Sequence, residues 1–165
     1  PSRNARHGCQ VWGFDPTPKS RAWIESQSLP AQFRFRPVGV GAQDGELTFY
    51  PPANEDHVSF SATPGENQTR PPITAPVQRI ATIVAQLGHD RIDVLKMDIE
   101  GFEYDVLDDL LAGPFRPRLL LVEYHHGMYG IADRKTRDSV QALRAAGYKL
   151  FYVSPVGREY GFLLA

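Results

Sequence analysis

A short apolar run that ends in acids and passes at once into an amphipathic helix constrains this chain more than any other feature. Ile92 lies just ahead of Val94, Leu95, Met97 and Ile99, and Lys96 is the single charge between Val94 and Met97. That is the pattern of a strand buried on both faces of a parallel sheet. Phe102, Val106, Leu107, Leu110 and Leu111 then recur at helical spacing, and Gly113-Pro114 supplies the stop. Asp98 and Glu100 therefore fall where a strand hands over to a helix, beyond the carboxyl end of the strand, where open α/β sheets bind ligands. A single acid at such a place caps the helix or complements its dipole. Asp98, Glu100 and Glu103 around one glycine concentrate enough charge to need a cationic or hydroxyl-bearing partner, and Gly101 permits its close approach.

The remaining pattern alternates strands with helices. Residues 9–14 read as a strand with Cys9 small and buried at its start. Asp15-Pro16-Thr17-Pro18 turns the chain into a short helix that carries Trp23 and Ile24 toward the sheet. Residues 33–40 read as a strand, and Asp44-Gly45 reads as a hairpin turn returning through residues 46–50. Residues 51–76, rich in Pro, Ser, Thr and Asn without hydrophobic period, read as a long loop or lid. The acceptor pattern Asn67-Gln68-Thr69 within it matters only in a secreted protein. A helix over residues 77–87 ends at Gly88. Leu119 to Val122 is a second buried strand tipped by Glu123-Tyr124-His125-His126. Residues 133–146 read as a helix, and residues 149–153 and 160–164 as a closing antiparallel pair. The 165 residues suffice for one domain, residues 1–165. The fold class is α/β: a mostly parallel sheet with helices on both faces and an antiparallel C-terminal hairpin.

The run from Val94 to Glu103, continued by Val106-Leu107, resembles the signature of FkbM-type methyltransferases, which use S-adenosylmethionine. Gly13-Phe14-Asp15-Pro16 resembles that family's second-strand motif, and Val122-Glu123-Tyr124-His125 its later strand end. The likeness runs from about Gly8 to Phe162. It implies a Rossmann-like class I methyltransferase sheet and S-adenosylmethionine as cofactor. The glycine-rich first-strand motif expected ahead of Asp15 is missing, because the polar residues before Cys9 do not read as a buried strand. The chain is therefore expected to be N-terminally incomplete, with a gap one strand wide between the strands ending at Asp15 and Asp98, and with Asp15 and Asp98 opening onto one crevice.

An acid at Asp15 can accept ribose hydroxyls or simply cap the helix that follows. The resemblance favours the ribose, with Phe14 beside it, Asp98 facing the cofactor, and Gly39, Val40 and Gly41 beside the adenine. The alternative for the two glycines is that they shape the hairpin. Methyl transfer to a hydroxyl requires a base, and His125 is the first candidate, with Glu100 and Glu123 as alternatives. The resemblance implies a small-molecule or glycan acceptor, methylated at oxygen. A non-catalytic binding or scaffold domain of methyltransferase ancestry is the second reading. A metal-dependent hydrolase on Asp98, Glu100 and His125 is the weaker third, and no metal ligand set is assigned. Adjacent His125 and His126 point to opposite sides of an extended chain, so at most one joins the carboxylates. With 18 basic and 19 acidic residues and a formal charge of -1, there is no electrostatic case for nucleic acid or an anionic membrane as partner. Oligomeric state and compartment are left open. Cys9, the one cysteine, excludes an intrachain disulfide or a cysteine-based metal site.

Overall fold

The computed structural model describes residues 8–52, 60–61 and 70–165. The acceptor pattern at Asn67 and much of the expected lid lie outside these residues. The strands are β1 (Val11–Phe14), β2 (Phe33–Arg36), β3 (Gly39–Val40), β4 (Gly45–Phe49), β5 (Ile73–Gln78), β6 (Val94–Met97), β7 (Leu119–Glu123), β8 (Tyr148–Val153) and β9 (Glu159–Leu164). The helices are α1 (Pro18–Glu25), α2 (Ile80–Leu87), α3 (Glu103–Ala112) and α4 (Asp133–Ala145).

The ladders fall into three sets: β1 with β2, β3-β5-β4, and β6-β7-β9-β8. The pairs β1/β2, β3/β5 and β6/β7 are parallel, while β4/β5, β7/β9 and β8/β9 are antiparallel. Parallel pairing thus does not predominate. Among the described residues no ladder joins β1 to β6, so the expected strand order is not violated by direct pairing of Val11–Gly13 with Leu95–Met97.

Several expectations are corrected. Cys9 is exposed, because the strand begins two residues later. Trp23 is exposed and α1 buries no residue, since its apolar side chains Ala22, Trp23 and Ile24 are consecutive and make no stripe along one face. The expected strand over residues 33–40 breaks at Pro37, which lacks a ladder donor. Asp44-Gly45 does not close a hairpin between β3 and β4; β5 lies between them and pairs with both. Residues 73–78, read as loop and helix start, are that strand, in which alternate residues Ala75 and Val77 are buried despite Pro76. β6 is not buried on both faces: Val94 is 55% exposed and Lys96 also faces water.

One core unites the later elements. Ile80 and Val84 of α2, Met97 of β6, Val106, Leu107 and Leu110 of α3, Leu120 and Val122 of β7, Leu143 of α4 and Phe162 of β9 pack together. Two polar contacts cross this region: Tyr124 and Ser139 hydroxyls lie 2.8 Å apart, and those of Tyr104 and Thr136 3.0 Å. Buried hydroxyls without partners are costly, so these pairs fix the position of α4 over the sheet.

Candidate functional site

The site grows from the parallel register of β6 and β7. Met97 is level with Val122, so the next residues, Asp98 and Glu123, leave the sheet side by side at its carboxyl edge. On the other side of β7, Glu123 faces Glu159 of β9. Burial first, then Asp98, hold the Glu123 carboxyl above its ordinary range; Glu159 adds to this while His125 and Lys96 oppose it.

Past Asp98 the backbone makes a strained turn. Glu100 adopts φ 55° and Gly101 φ 103°, the left-handed region that costs a non-glycine residue about 1–2 kcal/mol. Gly101 is required twice over, since a Cβ there would also lie 3.1 Å from Ile131 and 3.3 Å from the Tyr129 ring. The Tyr129 hydroxyl donates to Glu100 Oε2 at 2.7 Å. Tyr129 itself has φ 52°, so the two left-handed non-glycine residues among those described hold each other. Burial and then Glu100 raise the Tyr129 phenol pKa.

Neither Asp98 nor Glu100 caps α3. Glu103, the first helical residue, folds back instead, and its carboxylate accepts the backbone N–H of Ile99 at 3.0 Å and of Gly101 at 3.1 Å. Its exposure is 0%. The remaining partner is His125, whose Nδ1 lies 2.9 Å from Glu103 Oε1. A carboxylate only accepts, so Nδ1 carries the proton and Nε2 is left with a lone pair in the neutral ring. Nε2 faces Glu100 Oε2 at 3.4 Å and Asp98 Oδ1 at 3.8 Å. Burial disfavours the charged ring, but Glu103, Glu100 and Asp98 outweigh it and raise the pKa of His125. His126 turns the other way, with Nδ1 3.0 Å from Thr136 Oγ1.

Thus His125, Glu100, Glu123 and Asp98 come together. Glu103 and Tyr129 join them; the sequence marked Glu103 only as one of three acids around Gly101, not as the partner of His125, and did not mark Tyr129. A glutamate at the first helical position directly after a strand-end acid cluster was the available signal for Glu103. Nothing local marks Tyr129, which arrives on a separate loop.

Apart from Asp98, the expected cofactor positions lie in or beside other strands. Asp15 ends β1, and its Oδ1 accepts the Thr17 amide and hydroxyl at 2.7 and 2.6 Å, while Oδ2 accepts the Ser20 hydroxyl at 2.7 Å. Three of its roughly four lone-pair sites thus serve the start of α1, which leaves room for one further hydroxyl, not two. A Cβ on Gly39 would meet Val77 at 2.9 Å and Pro16 at 3.3 Å, so the space this glycine leaves is filled by protein. Gly41 donates to Gln78 O at 3.0 Å, and Val40 packs against the core. Phe14 pairs with Arg36 across β1/β2. A depression of about 270 Å³ lies between Pro18, Lys19, Pro51, Phe60, Arg70, Pro71 and Ile73, and shares no residue with the strand-end acids.

The chain matches the Methyltransferase FkbM domain over residues 2–150. It belongs to the FkbM methyltransferase family. Two relatives of this FkbM domain are the proteins named Probable methyltransferase-like protein 24 from Homo sapiens and from Rattus norvegicus. They are 30% and 29% identical to it over 107 residues, 65% of this chain. The chain spans 23% of the length of each. The crystal structure of methyltransferase FkbM from Methylobacillus flagellatus KT superposes with a TM-score of 0.53 at 15% identity, covering 93% of this chain and 36% of that one. That likeness shows a shared mixed α/β fold. These relationships place the domain among methyltransferases and lend nothing to the metal-dependent hydrolase.

Proposed function

We propose that this domain is the core of an S-adenosylmethionine-dependent methyltransferase acting on a hydroxyl of a small molecule or sugar. The observation that carries the reading is the buried Glu103–His125 pair, which holds the ring by Nδ1 and turns Nε2 toward an acid-lined strand end. When bound, the cofactor supplies a methyl group already activated on a sulfonium centre, so the protein's part is placement and proton removal. The donor set fits a cationic cofactor: among the described residues Asp98, Glu100 and Glu123 cluster with only His125 and Lys96 to offset them.

On this reading Asp98 faces the cofactor and Asp15 accepts one ribose hydroxyl. Phe14 and the backbone of residues 39–41 flank it. His125 Nε2 takes the proton of the acceptor hydroxyl, and Glu103 stabilises the imidazolium that results, as an orienting carboxylate does in a catalytic triad. Glu100 and Glu123 favour the same charged ring from the front.

A further strand between β1 and β6 completes the sheet on this reading. Its support is that, among the described residues, each of those strands is paired on one edge only, Val94 is left in water, and the buried Trp12 Nε1 has no acceptor.

Calorimetry with S-adenosylhomocysteine on the full-length protein tests the reading. Saturable binding is expected, weakened about 1.5–3 kcal/mol by Asp15→Ala through loss of a charge-assisted hydrogen bond. No binding at millimolar ligand rejects the cofactor, and an unchanged affinity in Asp15→Ala rejects the ribose role.

A further inference from the structure

The geometry points to a divalent-cation site at the carboxyl ends of β6 and β7, formed by Asp98, Glu123 and His125. One donor atom from each lies within 4.8 Å of the others. Carboxylates gathered at a strand end do not by themselves make a site. Two further observations do. The His125 side chain is 5% exposed, yet Nε2 makes no hydrogen bond among the described residues and faces the carboxylates of Asp98 at 3.8 Å and Glu100 at 3.4 Å. The half-buried Glu123 likewise accepts no hydrogen bond there. Behind the ring, Nδ1 is held by a fully buried carboxylate. That is the arrangement by which metal-binding histidines are usually oriented and made more basic.

Ligands about 2.0–2.2 Å from a common ion must approach one another to within roughly 4.4 Å. His125 Nε2 and Asp98 Oδ1, 3.8 Å apart, already meet this limit, and all three donors lie within 4.8 Å of one another. Two carboxylate oxygens and one imidazole nitrogen suit Mn²⁺, Fe²⁺ or Zn²⁺. Glu100 stays outside the ligand set, because Tyr129 holds its Oε2.

The consequence for chemistry rests on the methyl-transfer reading. A cation here lowers the pKa of an acceptor hydroxyl placed against it and occupies Nε2. The hydroxyl proton then passes to Glu100 in place of His125, while the oxygen takes the methyl group and the electron pair of the breaking S–C bond stays on sulfur.

The test is titration of the chelator-stripped full-length protein with Mn²⁺, with free ion followed by electron paramagnetic resonance. One ion per chain is expected, with affinity lowered at least about tenfold in Glu123→Gln and in His125→Asn. Asp138→Asn, an exposed carboxylate on α4, should bind as the parent does. Glu123→Gln disturbs no hydrogen bond, so it remains decisive if His125→Asn unfolds. Absence of saturable binding below on the order of 1 mM, or binding that Glu123→Gln leaves unchanged, overturns the site. S-adenosylhomocysteine calorimetry on the same preparation separates the two readings. Cofactor product bound without Mn²⁺ removes the cation alone; Mn²⁺ bound without the product removes methyl transfer and leaves the cation site standing.

Discussion

Glu103 and His125 are each almost wholly withdrawn from water; His125 has its hydrogen bond with Glu103, and Glu103 holds the ring as well as the Ile99 and Gly101 amides. Removing one member of such a pair strands the other in a medium where charge is poorly solvated, at a cost of about 3–5 kcal/mol. His125→Ala should therefore destabilise the protein by about that amount, measured by urea unfolding, and lower turnover by about 10²-fold or more. A variant that keeps its turnover while losing stability would leave His125 a structural residue. The acids of the cluster could be named from the sequence because they punctuate a strand-to-helix junction. The orienting role of Glu103 could not, because it exists only when the end of β7 runs beside the start of α3. Asp98 and Glu123 likewise become neighbours through parallel pairing, a fact of register and not of local pattern.

At the scale of elements, the junction between β6 and α3 is held by Gly101. Gly101→Ala places a side chain at φ 103° and against Ile131 and Tyr129. A loss of about 1–3 kcal/mol is expected, read as a lowered unfolding midpoint, and an unchanged midpoint would mean that the turn relaxes freely.

The start of α2 is held differently. Arg79 offers no side-chain cap; Asp44, on the distant loop between β3 and β4, accepts the Arg79 amide at 2.8 Å and the Thr82 hydroxyl at 2.7 Å. Chiefly the Thr82 bond, then the Arg79 amide, lower the Asp44 pKa. Its folded pKa lies below its unfolded one, so its stabilisation is present above the unfolded value of 3.8 and lost as pH falls through the folded value. Asp44→Asn should flatten the fall in stability below about pH 4, and parallel curves for the two proteins would dismiss the cap. Helices α3 and α4 and the β8–β9 pair were legible because long apolar periods and glycine stops mark them. β5 was not, since its prolines and threonine resemble loop composition and only the ladders to β3 and β4 make it a strand. A cap reaching α2 from Asp44 is equally invisible to local capping rules.

For the whole molecule, the unevenness of the ladders predicts how the fold opens. β7 is bonded on both edges, to β6 and β9, and β9 to β7 and β8. Among the described residues β1 has only β2 beside it, and β6 only β7. Leu120 and Phe162 are wholly buried, whereas every residue of β1 is half-buried and Val94 is 55% exposed. Amide exchange reports the free energy of local opening, which runs from near zero at weakly packed edges to the global value in the core. In the 165-residue chain, amides of β7 and β9 should exchange slowest, and those of β1 and β2 should exchange much faster. On the proposal that a further strand lies between β1 and β6, its docking should raise protection in β1 and β6 and leave β7 nearly unchanged, since β7 already has both neighbours. Equal protection of β1 and β7 in the 165-residue chain would show that the open edges are already covered, and the additional strand would then have no place in the sheet.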